Sequence, residues 1–76
     1  MTTLTQDIFI GQPEWVISAA ACANGRVLGF SCRSEYLRPT GKLNTWIPIE
    51  GIEYTIKYLG SCYFMDDWGS SAIDRA

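Results

Sequence analysis

Residues 15–32 read WVISAAACANGRVLGFSC, two apolar runs on either side of Asn24-Gly25. Asn-Gly in that setting is the strongest short-range hairpin signal, because a two-residue type I′ turn needs positive φ at both central positions. Such a turn puts Ala23 opposite Arg26 and then pairs Cys22 with Val27, Ala21 with Leu28, Ala20 with Gly29, Ala19 with Phe30, Ser18 with Ser31 and Ile17 with Cys32. Alternate residues share a face. Trp15, Ile17, Ala19, Ala21, Leu28, Phe30 and Cys32 therefore make the expected core face. Ser18, Ala20, Cys22, Val27, Gly29 and Ser31 make a thin second face, suited to close backbone packing or to water. Cys22 and Cys32 fall on opposite sides in this register, which argues against a bridge between them.

Further along, residues 43–49 and 52–59 suggest a second hairpin about Glu50-Gly51. Pairing Ile49 with Ile52 brings Ile47 to Tyr54, Thr45 to Ile56 and Leu43 to Tyr58 on one apolar face, with Trp46 and Pro48 on the other. Pro48 has no N–H to give, so 43–49 is expected at a sheet edge. Ile52, Ile56 and Leu59 also fit a helical stripe. The neighbouring proline and the β-branched and aromatic content favour strand. Gly60-Ser61 reads as a tight turn that lays residues 62–65 back along the preceding strand, with Tyr63 and Met65 on the core face. At the amino end, Thr3 and Gln6 match a capping box opening a helical turn or two over residues 4–10, whose Leu4, Ile8 and Phe9 dock on the sheet. At the carboxy end, Asp67 or Ser70 caps a turn that folds Trp68, Ala72 and Ile73 back onto it. The expected fold is mainly β, a single small domain over residues 1–76. About five strands, two hairpins plus a short final strand, form a small antiparallel sheet or a partly closed barrel with short helical turns at the termini.

Composition bounds the function. An apolar fraction of 47% with 13% aromatic and 18% charged residues is that of a globular domain and not of a disordered segment. The longest apolar stretch, residues 16–23, falls far short of the roughly 20 residues a membrane helix needs, and no basic segment precedes an apolar one at the amino end. A soluble, cytoplasmic protein is expected. The 3 cysteines, Cys22, Cys32 and Cys62, have no CxxC spacing, and with 0 histidines a zinc site would need three thiolates and a carboxylate. Reduced thiols serving as small apolar residues fit better, with no metal and no cofactor. Nucleophilic catalysis by Cys or Ser normally needs a nearby base, and histidine is absent. Asp66 and Asp67 are adjacent and would point to opposite faces of a strand, and the 7 glycines are scattered singly through turns. No catalytic residues are assigned; the chain reads as a non-enzyme.

The net charge of −2 hides a basic middle: Arg26, Arg33, Arg38 and Lys42 stand against Glu35 between acidic ends. Residues 33–42, RSEYLRPTGK, show no sustained period and read as the longest loop, with turn residues at Pro39 and Gly41. Arg33, Arg38 and Lys42 around Tyr36, with Trp46 lying off the core face near Pro48, are the candidate partner-binding residues, since aromatic and arginine anchors dominate interfaces. The edge at 43–49 could also recruit a second copy into a homodimer. One alternative is a small anion or nucleotide held by the 33–42 stretch. A further alternative is single-stranded nucleic acid on a barrel face, against which the acidic balance argues.

Phe9-x-Gly11-x-Pro13-x-Trp15-Val16, then Ala19-Ala20 and a glycine turn, and finally Asp67-Trp68-x-x-Ser71 with Arg75 just before the end, form an arrangement that resembles short uncharacterised proteins of tailed bacteriophages and prophages. In these, an amino-terminal G-x-P-x-W-V and a carboxy-terminal D-W-x-x-S bracket a few strands. The resemblance covers the two ends and carries no assigned catalytic or binding residue. It implies a phage accessory protein acting in the host cytoplasm by binding and inhibiting or modulating a host protein, inhibitors of bacterial defence such as anti-CRISPRs included.

Overall fold

The computed structural model describes residues 4–60 and 67–76. Mainly β, it has six strands among these residues: β1 (Ser18–Ala21), β2 (Val27–Phe30), β3 (Leu37–Thr40), β4 (Thr45–Pro48), β5 (Ile56–Gly60) and β6 (Ile73–Asp74). Of three short 3-10 turns, η1 (Gln6–Phe9) precedes β1, η2 (Ser34–Tyr36) lies between β2 and β3, and η3 (Trp68–Ser70) lies between β5 and β6. The strands form an antiparallel four-stranded sheet in the order β5-β2-β1-β6 and a separate antiparallel pair, β3-β4. Among the described residues neither sheet closes into a barrel.

The first hairpin is present, one residue out of the expected register. Ser18 lies opposite Phe30, Ala19 opposite Gly29, Ala20 opposite Leu28 and Ala21 opposite Val27. The cause is the turn. The Gly25 N–H donates to the Cys22 carbonyl at 3.0 Å and the Cys22 N–H to the Arg26 carbonyl at 2.8 Å, leaving a three-residue loop, Ala23-Asn24-Gly25. Gly25 alone takes a positive φ, +85°, and the Asn24 side-chain oxygen accepts the Arg26 N–H at 3.1 Å. This is a type I turn followed by a left-handed glycine, the usual three-residue alternative to a type I′ turn. It asks nothing unusual of the Asn24 backbone.

A one-residue slip moves one strand's side chains to the other face relative to its partner, and the core changes accordingly. Ala19 and Ala21 share a layer with Val27, packed by Leu4, Phe9 and Val16 and, from the side, by Ile8, Leu59 and Ile73. Ala20 and Cys22 share the opposite layer with Phe30, Cys32, Leu37 and Trp46, flanked by Leu28, Ile52, Trp68 and Ala72. The face expected to be thin is buried, and so is its opposite. Cys22 and Cys32, expected on opposite sides, lie in one layer as free thiols. Trp15 and Ile17, expected in the core, are exposed and half-buried respectively. At Gly29 a Cβ would stand 2.7 Å from Val16 Cγ1 and 3.0 Å from Leu59 Cδ1, so glycine there sets how closely the layer packs.

The second hairpin forms elsewhere. The expected loop at 33–42 contains η2 and β3, and β3 pairs with β4 through residues 41–44, where Asn44 takes a φ of +54°. Gly51, at φ +91°, does turn the chain, but the strand that follows pairs with β2 and not with β4. Residues 56–60 are a strand as expected, not a helix; 52–55 lie outside any strand. The expected apolar face was inverted: Leu43, Ile47, Tyr54, Ile56 and Tyr58 are exposed, while Trp46 and Pro48 are buried. On a strand of four residues one face must be chosen. Burying the indole removes more apolar surface from water than burying Ile47.

The termini hold the sheet as foreseen. Leu4 and Phe9 are buried and Ile8 half-buried beneath η1; Trp68 and Ala72 pack on the Phe30 layer, and Ile73 packs on the Val16 layer. The expected Thr3 cap and the strand at 62–65, with the Gly60-Ser61 turn, Tyr63 and Met65, lie outside the described residues. Thr5 and Asp67 occupy the cap positions of η1 and η3 without a side-chain capping bond.

Candidate functional site

The β3–β4 hairpin carries all five residues singled out from the sequence, or borders them, and it sorts them into two groups. Alternation along β3 and β4 turns Leu37, Trp46 and Pro48 inward. Trp46 is 4% exposed and its Nε1–H donates to the Ala21 carbonyl at 2.8 Å, so it is a core residue and is corrected out of the candidate site. That bond also serves the sheet. β6 pairs only with Ser18 and Ala19, and beyond it the Trp46 indole and the Ser71 hydroxyl, which accepts the Ala21 N–H at 2.9 Å, take up the backbone of β1.

The other group stays at the surface. Arg38 lies opposite Ile47 on the outward face, while Thr40 and its partner Thr45 are half-buried and the Thr45 hydroxyl stands 3.1 Å from the Cys22 sulfur; Lys42 and Leu43 lie in the turn at the hairpin tip. Tyr36, 40% exposed, closes η2 just before β3, and exposed Arg33 begins η2 as its cap residue. Arg38 Nη1 donates to the Glu35 and Leu37 carbonyls, both at 2.8 Å, which pins the guanidinium to the η2–β3 junction. η2 is itself anchored: the Asp74 carboxylate accepts the Ser34 N–H and hydroxyl, both at 2.8 Å. The platform under Tyr36 and Arg38 is therefore fixed by the far end of the chain.

Two residues of this surface, Leu43 at 65% and Ile47 at 45% exposed, were assigned to the core by the sequence. The available signal was Trp46 next to Ile47: in a two-stranded unit the larger aromatic takes the inside. Three further large side chains, Tyr54, Ile56 and Tyr58, are exposed along the approach to β5 and on it.

At the carboxy end, Arg75 meets the amino-terminal motif, while Asp67-Trp68-x-x-Ser71 docks on β1 and the Phe30 layer. Arg75 Nη1 donates to the Pro13 and Val16 carbonyls at 2.7 and 3.0 Å, and Nη2 to the Phe9 and Gln12 carbonyls at 3.3 and 3.4 Å. Its guanidinium carbon stands 5.7 Å from the Phe9 ring centroid, within cation–π range. Ser71 joins Ala21 to the Trp68 carbonyl. The glycine-proline-tryptophan segment and the aspartate-tryptophan-serine segment thus fasten the fold.

Chemically the described surface offers contact groups. Burial pushes the Cys32 thiol up from its ordinary value against a smaller opposing backbone hydrogen bond, which keeps it protonated, the wrong state for a nucleophile. Among the described residues no group of three His, Cys, Asp or Glu side chains is placed to hold a metal ion, and no helix is long and apolar enough to cross a membrane. Comparison of the chain with protein-family models, with curated proteins and with solved structures returns no match.

Proposed function

We propose that this chain is a non-enzymatic accessory protein of the phage type that acts in the host cytoplasm. In this reading it binds a host protein and inhibits or modulates it, as an anti-CRISPR does to a bacterial defence system. One observation carries the reading: Tyr36, at the end of η2, and Leu43 and Ile47 stand exposed with Arg38 around a hairpin whose other face buries Leu37, Trp46 and Pro48. Large apolar side chains held in water by a fixed scaffold, with an arginine among them, match the composition of interface anchors.

The spacing of the cations argues against a small anion as the ligand. Arg33 lies before η2 and Lys42 in the turn at the hairpin tip, with η2 and the whole of β3, itself roughly 13 Å long at the rise of a strand, between them. A phosphate or nucleotide is gripped by donors that converge; these are spread over the length a macromolecular partner would cover.

Affinity capture from lysate of a candidate host tests the proposal. The wild-type protein should retain one partner in stoichiometric amount, and Tyr36→Ala or Ile47→Ser should lose it with the melting temperature unchanged. If the column retains nothing while calorimetry finds tight nucleotide binding, the small-anion reading replaces this one.

A further inference from the structure

We infer that the outward face of the β3–β4 hairpin takes a short protein segment with an apolar centre and acidic flanks, an inference that rests on the binding-module reading and names the partner's chemistry. Charge complementarity carries it. Residues 33–47 hold Arg33, Arg38 and Lys42 against Glu35, a surplus of positive charge in a chain whose net charge is −2. The cations border Ile47 and Leu43 at both ends: Arg38 is the cross-strand neighbour of Ile47, and Lys42 adjoins Leu43 at the tip. Arg38 is held in place through Nη1, so its charge sits at a defined point of the face.

Size narrows the partner further. The outward face of β3 and β4 is narrow, about 13 Å along the strands and about 10 Å across the two of them. A short extended segment fits that area; a broad globular surface would need more. Nucleic acid fits poorly, because Glu35 sits among the cations and the bordered centre is aliphatic, without the succession of aromatic platforms on which bases stack.

Peptide display on the immobilised full chain tests this. The selected pool should be enriched in Asp and Glu around Leu, Ile, Phe, Tyr or Trp. A synthetic peptide from the pool should bind about tenfold or more weakly to Arg38→Glu and to Ile47→Ser, and should weaken as sodium chloride is raised. A pool without acidic residues that still loses capture with Ile47→Ser overturns the acidic chemistry and leaves the binding module standing. No enrichment, or capture indifferent to both substitutions, overturns both. Displacement of the peptide by a dT oligonucleotide, or a dimer in sedimentation that Ile47→Ser dissolves, would overturn the inference in favour of nucleic acid or a second copy.

Discussion

The β1–β2 core and the β3–β4 hairpin are built from strands of equal length, yet one is covered on both faces and the other on one. β1 is buried at every position, Ser18, Ala19, Ala20 and Ala21. Its small side chains let two layers close down on it, one led by Val16 and Phe9 and the other by Phe30 and Trp46. β4 alternates, with Trp46 and Pro48 buried and Ile47 exposed. The alanines are thus the structural centre, and the apolar residues facing out on the hairpin are those left over once the second layer is complete.

Substitutions at five positions put that contrast to the test. Trp46→Ala removes the piece that joins hairpin to sheet, with the indole's bond to Ala21, and should cost about 3–5 kcal/mol in urea unfolding. A loss below about 1 kcal/mol would mean that Trp46 is not part of the core, and the two regions would no longer differ. Arg75→Ala removes charge-assisted bonds to four carbonyls of the 9–16 segment, and about 2–3 kcal/mol is expected, also by urea titration. Arg75→Lys should recover only part of it, since an ammonium cannot span the same carbonyls. Gly29→Ala, which forces a methyl onto Val16 and Leu59, should cost about 1–3 kcal/mol; a neutral result in a thermal melt would show that the first layer is loosely packed. Ile47→Ser and Tyr36→Ala should shift stability by no more than about 0.5 kcal/mol, being exposed, while abolishing partner capture. A large loss of stability there would move the hairpin's outer face into the core.

Much of this could be read in the chain before its structure. Asn24-Gly25 between apolar runs announced a hairpin, and the terminal apolar residues Leu4, Phe9, Trp68 and Ile73 were expected to dock where they do. The register of the first hairpin turns on one physical detail. Asn-Gly is compatible with a two-residue and a three-residue loop, and the choice between them, settled by Asn24 accepting the Arg26 N–H, shifts every facing pair by one. The candidate surface was legible in Tyr36, Arg33, Arg38 and Lys42, whose polarity and turn chemistry kept them outside. Ile47 and Leu43 were missed because residues 37–40 were read as loop, which left 43–49 to pair with the wrong strand.

Local chemistry along the chain is enough to make it mainly β, to turn it at Asn24-Gly25 and to bring the apolar residues of both termini onto the sheet, because turn chemistry and alternation act within a few residues. Which strand pairs with which, and which face of β4 is buried, is set by long-range packing. Ile47 and Trp46 are both apolar enough to go inside, and the outcome depends on how much covering surface the alanine strand, Cys22 and Phe30 present once they have come together.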